Sequence, residues 1–562
     1  MSRTLWALAL GLVPAVLPLA CGSLNKGEVV IVDEAAGSQN VGGTTSGSAG
    51  KAGSTAGGRG GTAGGTSGGT SGDSGEAGVG TGASGGSTGK GGSTAKGGST
   101  GKGGSSNGDA GTGGGGGEPP SGCTESSECV ASAPICDDGT CRGCDFGHMP
   151  DECSDFTNNP YCNDEGRCVA CRTNDDCSTG RPVCEEGACR GCKLGSECDS
   201  GACNSGRCAD ETAVVYALAV TGSYAATCGT KTLPCISLTD AVSKLSKSRP
   251  FLVLLETPGA FDYTNVTLPP MIDIWIFGNG VTVGGYNAPV FAKAGGNLLL
   301  DGVVAIASQS GTSATSFAAV NLTSVSLKMV RSKIANDSEE YQSTGLTLTD
   351  STADIHVSEF VNSKLGILSG STLPLPTQGL TVERCLFQNN NEAIHVDADY
   401  FVIRNNLFIS NGNTSYVRII QPSAQNTGIF AYNTLYQNDN NCSYEGGLIA
   451  CNGSGTCGIH SSNLFWGNMY NGSGGTACYD QVYGYPTTIS YTMSELPYAG
   501  TGNIGGEDPL FVDPVGGDYS LSMGSPGIDA GDTDPMVMPD VDYYGNPRPL
   551  GGTPDIGAVE SE

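Results

Sequence analysis

The chain has 562 residues, of which 90 are glycine, and its formal net charge is −29 at pH 7. It is too long for one ordinary domain and too rich in glycine to be globular throughout, so part of it is predicted to be linker. Because a protein that binds a polyanion needs a basic patch, and the sequence shows none, the composition argues against nucleic acid or an anionic membrane surface as a partner.

Residues 1–20, MSRTLWALALGLVPAVLPLA, have a basic start, an apolar run and a small final residue, and Cys21 follows. This order is typical of a bacterial secretory signal peptide. The stretch LPLAC resembles a lipoprotein signal with Cys21 as the lipidated residue, although Pro18 stands where leucine is usual. The resemblance implies a lipid anchor in the bacterial cell envelope, at the outer membrane or the cell surface. Cleavage after Ala20 without lipidation would instead give a secreted protein.

Residues 21–120 are dominated by glycine, serine and threonine, with a loose STGKGG repeat. Such a segment buries too little apolar surface to offset its loss of conformational entropy, so it is predicted to be a disordered tether. No segment after the signal reaches the roughly 18 apolar residues that a transmembrane helix needs. Contact with a membrane is therefore expected only through the N-terminal anchor.

Residues 121–210 hold sixteen cysteines in four repeats of four. CTESSECVASAPICDDGTCRGC and CRTNDDCSTGRPVCEEGACRGC share the spacing C-x5-C-x6-C-x4-C-x2-C. Repeats this short, with few large apolar residues, cannot form a hydrophobic core and need covalent links. The C-x2-C spacing also suggests a zinc site, but an exported chain with an even number of cysteines favours disulfides. No metal is predicted, and the pairing stays open. The cysteines are Cys123, Cys129, Cys136, Cys141, Cys144, Cys153, Cys162, Cys168, Cys171, Cys177, Cys184, Cys189, Cys192, Cys198, Cys203 and Cys208.

These repeats resemble the cysteine-rich repeats of myxobacterial surface proteins, which implies a stalk or an adhesive spacer. The next domain, residues 211–500, opens with CGTKTLPCISLTDAVSKLSKSRP, in which a disulfide between Cys228 and Cys235 is predicted. A short amphipathic helix that could cap the domain is predicted from the helical spacing of four apolar residues. They are Leu238, Ala241, Val242 and Leu245.

Six similar octapeptides follow: MVRSKIAN, IHVSEFVN, VERCLFQN, IRNNLFIS, FAYNTLYQ and HSSNLFWG. In each, a small polar residue stands between apolar residues that alternate with polar ones, the period-2 pattern of strands with one buried face. Units that recur every 20 to 30 residues or so must stack to share a core. The small polar residues are Ser332, Ser358, Cys385, Asn406, Asn433 and Asn463.

Asparagine suits a sharp turn at this position, because it tolerates the left-handed conformation and its side chain hydrogen-bonds to backbone. Stacked asparagines can also bond to the turns above and below. A second apolar strand follows each turn, as in LGIL at 365, AIHV at 393, YVRI at 416 and GGLIA at 446. Each unit therefore supplies about three short strands to parallel sheets.

With this pattern the chain resembles the right-handed parallel β-helix proteins, the pectin-lyase-like superfamily, over about residues 212–500. Residues 501–562 contain DPLFVDPVGGDYSLSMGSPGIDAG and PDVDYYGNPRPLGGTPDIGAVES, and are similar to the closing segment of choice-of-anchor Q proteins. The resemblance implies an all-β solenoid, preceded by the linker and the cysteine-rich module. Six tail acids (Asp508, Asp513, Asp529, Asp540, Asp542 and Asp555) are expected to bond to turns and caps in preference to Ca²⁺.

In that superfamily, polysaccharide sites lie on the outer face of one sheet, to which AIHVDAD is assigned. Ile394 and Val396 then point inward and His395 outward, with Asp397 beside it and Arg418 on the next turn of the solenoid. Arg418, Asp397 and His395 are therefore the catalytic candidates. A lyase site of this kind would need Ca²⁺ held by several carboxylates.

Of the carboxylates that could hold Ca²⁺, only Asp397 is assigned to the outer face, because the pattern does not fix the directions of Glu392 and Asp399. The paired-Asp, Gly-His-Gly and Arg-Ile-Lys motifs of the hydrolases are absent from the sequence. Catalysis and a cofactor are therefore not predicted, and Ca²⁺ belongs only to the lyase alternative. Cys385 is assigned to the turn ladder and not to a nucleophile. Two further disulfides are expected among Cys442, Cys451, Cys457 and Cys478.

The predicted function is that of a monomeric, non-catalytic bacterial surface protein that binds polysaccharide or another surface. Aromatic side chains can stack on sugar rings. One alternative is a polysaccharide lyase or glycoside hydrolase acting on uronate-containing glycans, and another is a purely structural spacer or adhesin. The candidate carbohydrate contacts are Tyr416, Arg418, His395 and Trp466.

Overall fold

A computed structural model describes sixteen parts of the chain. They are residues 122–130, 132–147, 152–154, 156–219, 222–255, 261, 265–308, 317–337, 343–370, 379–396, 400–412, 427–440, 448–450, 458–470, 482–483 and 488–561. The predicted signal, the lipidation site Cys21 and the tether lie outside them. Within these ranges, no helix is both long enough and apolar enough to cross a bilayer.

Three parallel sheets wind around one apolar core and form a β-solenoid, which confirms the predicted parallel β-helix. A turn of the solenoid is here called a rung. From Ile274–Phe277 to Glu392–Val396, each rung places one strand in sheet 1, the next in sheet 2 and the third in sheet 3. One such rung consists of Thr352–His356, Glu359–Val361 and Leu365–Gly370. Each strand pairs in parallel with its counterparts in the rungs before and after it.

The strand bounds follow the chain. Sheet 1 contains Val214–Ala217, Phe251–Leu254, Ile274–Phe277, Asn297–Asp301, Ser326–Val330, Thr352–His356, Gly379–Glu383, Tyr400–Arg404, Thr427–Ala431, Ile459–Ser461 and Thr488–Ser490. Sheet 2 contains Thr282–Tyr286, Val304–Ser308, Lys333–Asn336, Glu359–Val361, Leu386–Gln388, Leu407–Ile409, Thr434–Tyr436, Leu464–Trp466, Met493–Ser494 and Ile504–Gly505. Sheet 3 contains Val266–Thr267, Phe291–Ala294, Ala318–Thr323, Thr344–Thr349, Leu365–Gly370 and Glu392–Val396.

Two small parallel pairs lie outside the three sheets. They join Asp439–Asn440 to Met469–Tyr470 and Ile449–Ala450 to Val482–Tyr483.

The core is built by apolar side chains at alternate strand positions, as the period-2 pattern predicts. Phe360, Phe387 and Phe408 occupy the same place in consecutive rungs of sheet 2, and their rings stack at 5.0 and 4.9 Å between centroids. His460, the one polar residue at an apolar position of the repeat, is buried in sheet 1 with its ring 5.6 Å from that of Phe430. Its inward direction shows that the repeat keeps its register there.

The first corner, between sheets 1 and 2, is held by the predicted ladder. The Asn406 side-chain oxygen accepts a hydrogen bond from the backbone N–H of Cys385 at 2.9 Å, one rung earlier. The Asn406 amide nitrogen donates to the Val382 carbonyl at 2.9 Å and to the Asn433 side-chain oxygen at 3.0 Å. Asn433 repeats this pattern with Asn463. Stacked side chains thus satisfy buried backbone groups from rung to rung.

The left-handed backbone conformation lies one residue earlier than predicted. Asn405, Tyr432 and Ser462 have φ of 55°, 54° and 55°, and each precedes a ladder asparagine. The prediction that the ladder residue itself takes this conformation is wrong, because its side chain must point inward to reach the neighbouring rungs. Asparagine is used there for its hydrogen bonds and not for its backbone tolerance.

A second ladder, which the sequence analysis missed, holds the corner between sheets 2 and 3. It lies five residues after the first ladder in each rung, as at Cys385 and Asn390 or at Asn406 and Asn411. The Asn411 side-chain oxygen accepts from the backbone N–H of Asn390 at 3.0 Å, and its amide nitrogen donates to Asn438 at 3.0 Å. The members are Ser363, Asn390, Asn411, Asn438 and Asn468.

The start of the solenoid carries the α-helix Leu238–Ser243, as predicted. The Ser237 hydroxyl caps it by accepting from the backbone N–H of Asp240. Its apolar face joins the core near Val214–Ala217 and Val266–Thr267. The predicted disulfide between Cys228 and Cys235 is also present.

The cysteine-rich module consists of four small hairpins. In every repeat the first cysteine is bonded to the third and the second to the fourth, which confirms the predicted disulfides and settles the pairing. The strand pairs are Ile135–Asp137 with Thr140–Arg142, Tyr161–Cys162 with Cys168–Val169, Val183–Glu185 with Ala188–Arg190, and Cys203–Asn204 with Arg207–Cys208. The bonds are Cys123–Cys136, Cys129–Cys141, Cys144–Cys162, Cys153–Cys168, Cys171–Cys184, Cys177–Cys189, Cys192–Cys203 and Cys198–Cys208.

Ion pairs connect neighbouring repeats of this module. Arg142 in the first repeat binds Glu152 in the second, and Arg190 in the third binds Glu197 in the fourth, both at 2.7 Å. Each arginine belongs to a CRGC motif, and each glutamate precedes the second cysteine of its repeat. Four 3₁₀ turns complete the module and its exit, at Ser126–Glu128, Asn174–Asp176, Gly195–Glu197 and Glu211–Ala213.

The fourth repeat packs directly onto the solenoid. Ala202 lies in one apolar cluster with Tyr216, Phe251, Val253 and Phe277, which point outward from the first three strands of sheet 1. The Tyr216 hydroxyl donates to the Ser200 carbonyl at 3.0 Å. The module therefore covers the beginning of the outer face of sheet 1.

Residues after the last rung fold back over the solenoid. Phe511–Asp513 and Asp518–Leu521 form a hairpin. Tyr519 of this hairpin packs with Ala558 and Val559 against Leu407 and Ile409 of sheet 2. We call residues 506–561 the closing segment. It seals the outer face of the later part of sheet 2.

The closing segment is also bound to the first corner. The Gly557 N–H donates to the Ser462 carbonyl at 2.9 Å, and the Asn405 amide donates to the Val541 carbonyl. Inside the segment, Arg548 and Glu560 form an ion pair at 2.8 Å with both side chains fully buried. The Arg548 guanidinium also lies 4.4 Å from the centre of the Tyr432 ring.

Replacing Asn406 with alanine is expected to lower the free energy of unfolding by about 2–4 kcal/mol, because it leaves the buried N–H of Cys385 without its acceptor and removes a buried side chain. Urea unfolding of the full chain, followed by circular dichroism, measures the change. The matched control is Asn321→Ala, since Asn321 is exposed on the outer face of sheet 3. Equal effects of the two variants would contradict the role of the ladder.

Glu560→Gln is expected to destabilise the fold by about 3–5 kcal/mol, because it leaves the Arg548 charge buried without its nearest counter-charge. Glu507→Gln, at an exposed position near the start of the closing segment, should change stability by less than about 0.5 kcal/mol. Thermal unfolding of both variants beside the wild type tests this. A Glu560→Gln protein as stable as the control would show that the ion pair does not hold the segment in place.

Candidate functional site

The predicted site on sheet 3 is described only in part. His395 lies on the outer face of Glu392–Val396, while Ile394 and Val396 are buried, as predicted. The His395 Nδ1 atom is 3.1 Å from Glu392 Oε1, so this carboxylate faces the imidazole. The other candidates for this site, Asp397, Asp399, Tyr416 and Arg418, lie outside the described residues, as do the four cysteines Cys442, Cys451, Cys457 and Cys478.

The aromatic candidate that the structure describes, Trp466, is covered by the closing segment. Trp466 points outward from sheet 2, where it packs beside Leu464, Leu521 and Ile556 beneath the closing segment. Tyr432 is fully buried under the same segment, and its hydroxyl donates to the Asp532 carbonyl. Tyr400, in sheet 1, keeps 46% of its surface exposed.

Cys385 is a buried ladder residue. Its thiol donates to the Glu383 carbonyl at 3.2 Å, and among the described cysteines it alone is outside a disulfide. Burial raises the pKa of the Cys385 thiol to about 12. A thiol that stays protonated and closed to solvent does not act as a nucleophile.

Five of the six predicted acids of the closing segment accept hydrogen bonds. Asp508 accepts from the N–H of Leu510 at 2.9 Å, and Asp513 accepts from the N–H of Gly516 at 3.0 Å, both as turn bonds. Asp542 accepts from the N–H of Asn546 at 2.7 Å. In the described part of the chain, the groups of three or more residues that could hold a metal ion consist of module cysteines, and these are bound in disulfides.

A second cluster of polar groups, not anticipated from the sequence, lies on the outer face of sheet 1. We call Asp354, His356, Glu383 and Arg404 the charged row. His356 Nε2 is 2.6 Å from Asp354 Oδ1, and His356 Nδ1 is 3.5 Å from Glu383 Oε2 on the next rung. Arg404, one rung further, donates from Nε to Glu383 Oε1. Donor and acceptor groups thus alternate along three rungs.

Electrostatics favour the ionised form of the first acid in this row. Burial opposes ionisation of Asp354, but the hydrogen bond from His356 and the positive charges of His356 and Lys328 hold the pKa of the Asp354 carboxyl below its usual value. Earlier on the same face, Arg331 pairs with Asp301 at 2.5 Å. Burial outweighs this pairing and raises the pKa of Asp301.

The exposed ring of Tyr400 lies on the same face as the charged row. It stands next to Gly379 on the neighbouring strand, where a β-carbon would meet the ring at 3.8 Å. The outward positions next to these groups are filled by Thr381, the register neighbour of Asp354, and by Val402, the register neighbour of Thr381. An aromatic ring and a set of hydrogen-bonding groups therefore share one flat surface.

Both ends of this surface are covered. The fourth cysteine repeat covers the first strands, as far as Phe277 and Leu299. Val537 and Met538 of the closing segment pack near Ile429 and Ile459 on the later strands. We call the outer face of the four strands between these covers, Ser326–Val330, Thr352–His356, Gly379–Glu383 and Tyr400–Arg404, the window.

The protein therefore consists of a disulfide-rich module joined to a parallel β-solenoid. Residues 110–214, which include the four cysteine repeats, match the model of a family of unknown function, DUF8331. Among solved structures, the chain is similar to one described as the crystal structure of pectate lyase Pel9A, with 14% identity, a TM-score of 0.35, and coverage of 63% of this chain and 100% of that chain. The search of curated proteins found no match.

Native Cys385 is expected to resist iodoacetamide at pH 8, because its thiol is buried and its pKa is raised to about 12. In urea without a reductant, which leaves the disulfides intact, the same thiol should be alkylated. Mass spectrometry of the peptide that contains Cys385 measures the modification, and Cys385→Ser serves as the unlabelled control. Equal labelling of native and unfolded protein would show that this corner opens readily.

Proposed function

We propose that the chain is a non-catalytic bacterial surface protein whose solenoid binds polysaccharide. In this proposal, the lipidated Cys21 and the tether hold the protein at the cell envelope. The disulfide module links the tether to the solenoid as a stiff stalk. The ion pairs between its repeats and the packing of the fourth repeat on sheet 1 support that part of the proposal.

The observation that carries the proposal is the difference among the three outer faces. The closing segment covers the later part of sheet 2, whereas sheets 1 and 3 present rows of hydrogen-bonding side chains. On sheet 3, Asn321, Thr347 and His395 occupy one outward row, interrupted by Leu368. Because successive rungs stand about 4.8 Å apart, such rows offer a regularly repeated surface that suits a repetitive, hydroxyl-rich polymer.

The enzymatic alternative has no such support from a described residue. A lyase or hydrolase acting on uronate-containing glycans depends on Asp397 and Arg418, which lie outside the described ranges. The strongly acidic chain would also repel a polyuronate over distances up to about 10 Å at 0.1 M salt. A binding function needs only the exposed rows and the rigid solenoid that presents them.

The full chain is expected to bind at least one polysaccharide on a glycan array that contains neutral and acidic polymers, without releasing reducing ends or unsaturated products. Product release on any polymer would favour the enzymatic alternative. A complete lack of binding across the array would leave the structural spacer as the remaining explanation.

A further inference from the structure

We infer that the window on sheet 1 is a binding site for a neutral oligosaccharide, with Tyr400 as its stacking platform. This inference deepens the proposed function, since it rests on polysaccharide binding and assigns it to one place and one class of ligand. It concerns a different face from the predicted site, because His395 lies on sheet 3.

Tyr400 presents an exposed aromatic ring in the window. A large aromatic side chain on the surface of a flat sheet leaves apolar area in water, and 46% of Tyr400 remains exposed. The C–H face of a pyranose ring is apolar and flat, so it can cover a tyrosine ring while its hydroxyls stay available. Gly379 has no side chain beside Tyr400, which leaves room next to the ring for a ligand.

Polar groups extend across the window from Tyr400 to the charged row. Tyr400 and Arg404 lie four residues apart on one strand, which corresponds to about 13 Å at 3.3 Å per residue. Thr381 lies between them on the neighbouring strand, and Glu383 and His356 lie beside Arg404. A ligand that stacks on Tyr400 can therefore extend across the sheet to the charged row, so the site fits an oligosaccharide better than a single sugar.

The open surface of the window matches a short oligosaccharide in size. The four strands of the window span three rung spacings, or about 14 Å along the solenoid. The fourth cysteine repeat covers the surface before them and the closing segment covers it after them. The site therefore favours a short stretch of glycan, and the two covers supply walls that a bare sheet would lack.

The charge of the window selects a neutral ligand. Lys328 and Arg404 offset Asp354 and Glu383, so the charges are compensated within the surface itself. The chain as a whole carries a net charge of −29. No excess of positive charge is present in this window to attract a polyanion, whereas paired carboxylates and donors suit sugar hydroxyls.

Isothermal titration calorimetry of the full chain tests the inference with four neutral probes (cellohexaose, xylohexaose, mannohexaose and maltohexaose) and with an oligogalacturonate as the acidic probe. We expect binding of at least one neutral probe, with an affinity that changes little between low and high salt. Tyr400→Ala should raise its Kd about 10-fold, equal to about 1.4 kcal/mol. Tyr400→Phe keeps the ring and should bind nearly as well as the wild type.

Two further variants distinguish loss of binding at the window from a general effect of a substitution on the protein. Tyr224→Ala removes a tyrosine that is 80% exposed between the first two strands of sheet 1, and it should leave binding unchanged. Gly379→Thr leaves Tyr400 intact but fills the space beside its ring, so it should weaken binding without lowering the melting temperature. Its new β-carbon meets Tyr400 only at ordinary contact distance.

Three outcomes would overturn the inference. If Tyr400→Ala and Gly379→Thr both bind like the wild type, the glycan site lies elsewhere, and the proposed function still stands. Binding of the oligogalacturonate alone would overturn the assignment of a neutral ligand. If neither the probes nor any polymer on the glycan array binds, the proposed function fails together with this inference.

Discussion

The fold depends on hydrogen bonds from ladder side chains to the buried backbone groups at two corners of the solenoid. Each of the two ladder corners turns the chain sharply and buries N–H and C=O groups that the sheets do not pair, and an unpaired buried group costs about 1–3 kcal/mol. The stacked asparagines meet this need with one side chain per corner per rung, since the amide accepts from one backbone and donates to others. The core can then consist of short strands and stacked rings.

The same geometry decides where the rest of the protein can attach. A ladder side chain points inward, so the residue before it takes the left-handed conformation and turns its own side chain outward. Asn405, Tyr432 and Ser462 stand in this place, and each bonds to the closing segment. The segment thus follows the first corner and covers the adjoining sheet 2, while the cysteine module occupies the start of sheet 1. The window is the part of sheet 1 that these two attachments leave open.

The sequence predicted the fold in detail because its periodicity reports burial directly. The alternating apolar residues around Ser358, Cys385 and Asn406 fixed the strands and the first ladder, and the helical spacing after Ser237 fixed the capping helix. The second ladder was missed because its members fall in asparagine-rich turns such as QNNNE, where one ordered asparagine looks like its exposed neighbours. Disulfide pairing was unpredictable, since cysteine spacing does not show which sulfur atoms meet.

The candidate site could be anticipated only weakly. His395 was found because it interrupts an apolar strand of a predicted outer face. Asp354, His356, Glu383 and Arg404 were overlooked because they lie inside or directly before the ladder motifs, where they look like ordinary polar positions. Their proximity arises from register between strands 21 to 27 residues apart, which periodicity alone does not reveal. The exposure of Tyr400 depends on what the closing segment and the module leave uncovered.

The constant distance between the two ladders restricts where the length of a rung can change. Five residues always separate the paired corners, from Ser358 and Ser363 to Asn463 and Asn468. Over these rungs, variation in rung length therefore falls between the second ladder and the next strand of sheet 1. Insertions and deletions can accumulate there without breaking a ladder, and that flank borders both the His395 face and the window. Recognition loops can thus change in length and sequence, by evolution or by design, while the two hydrogen-bonded ladders stay the same.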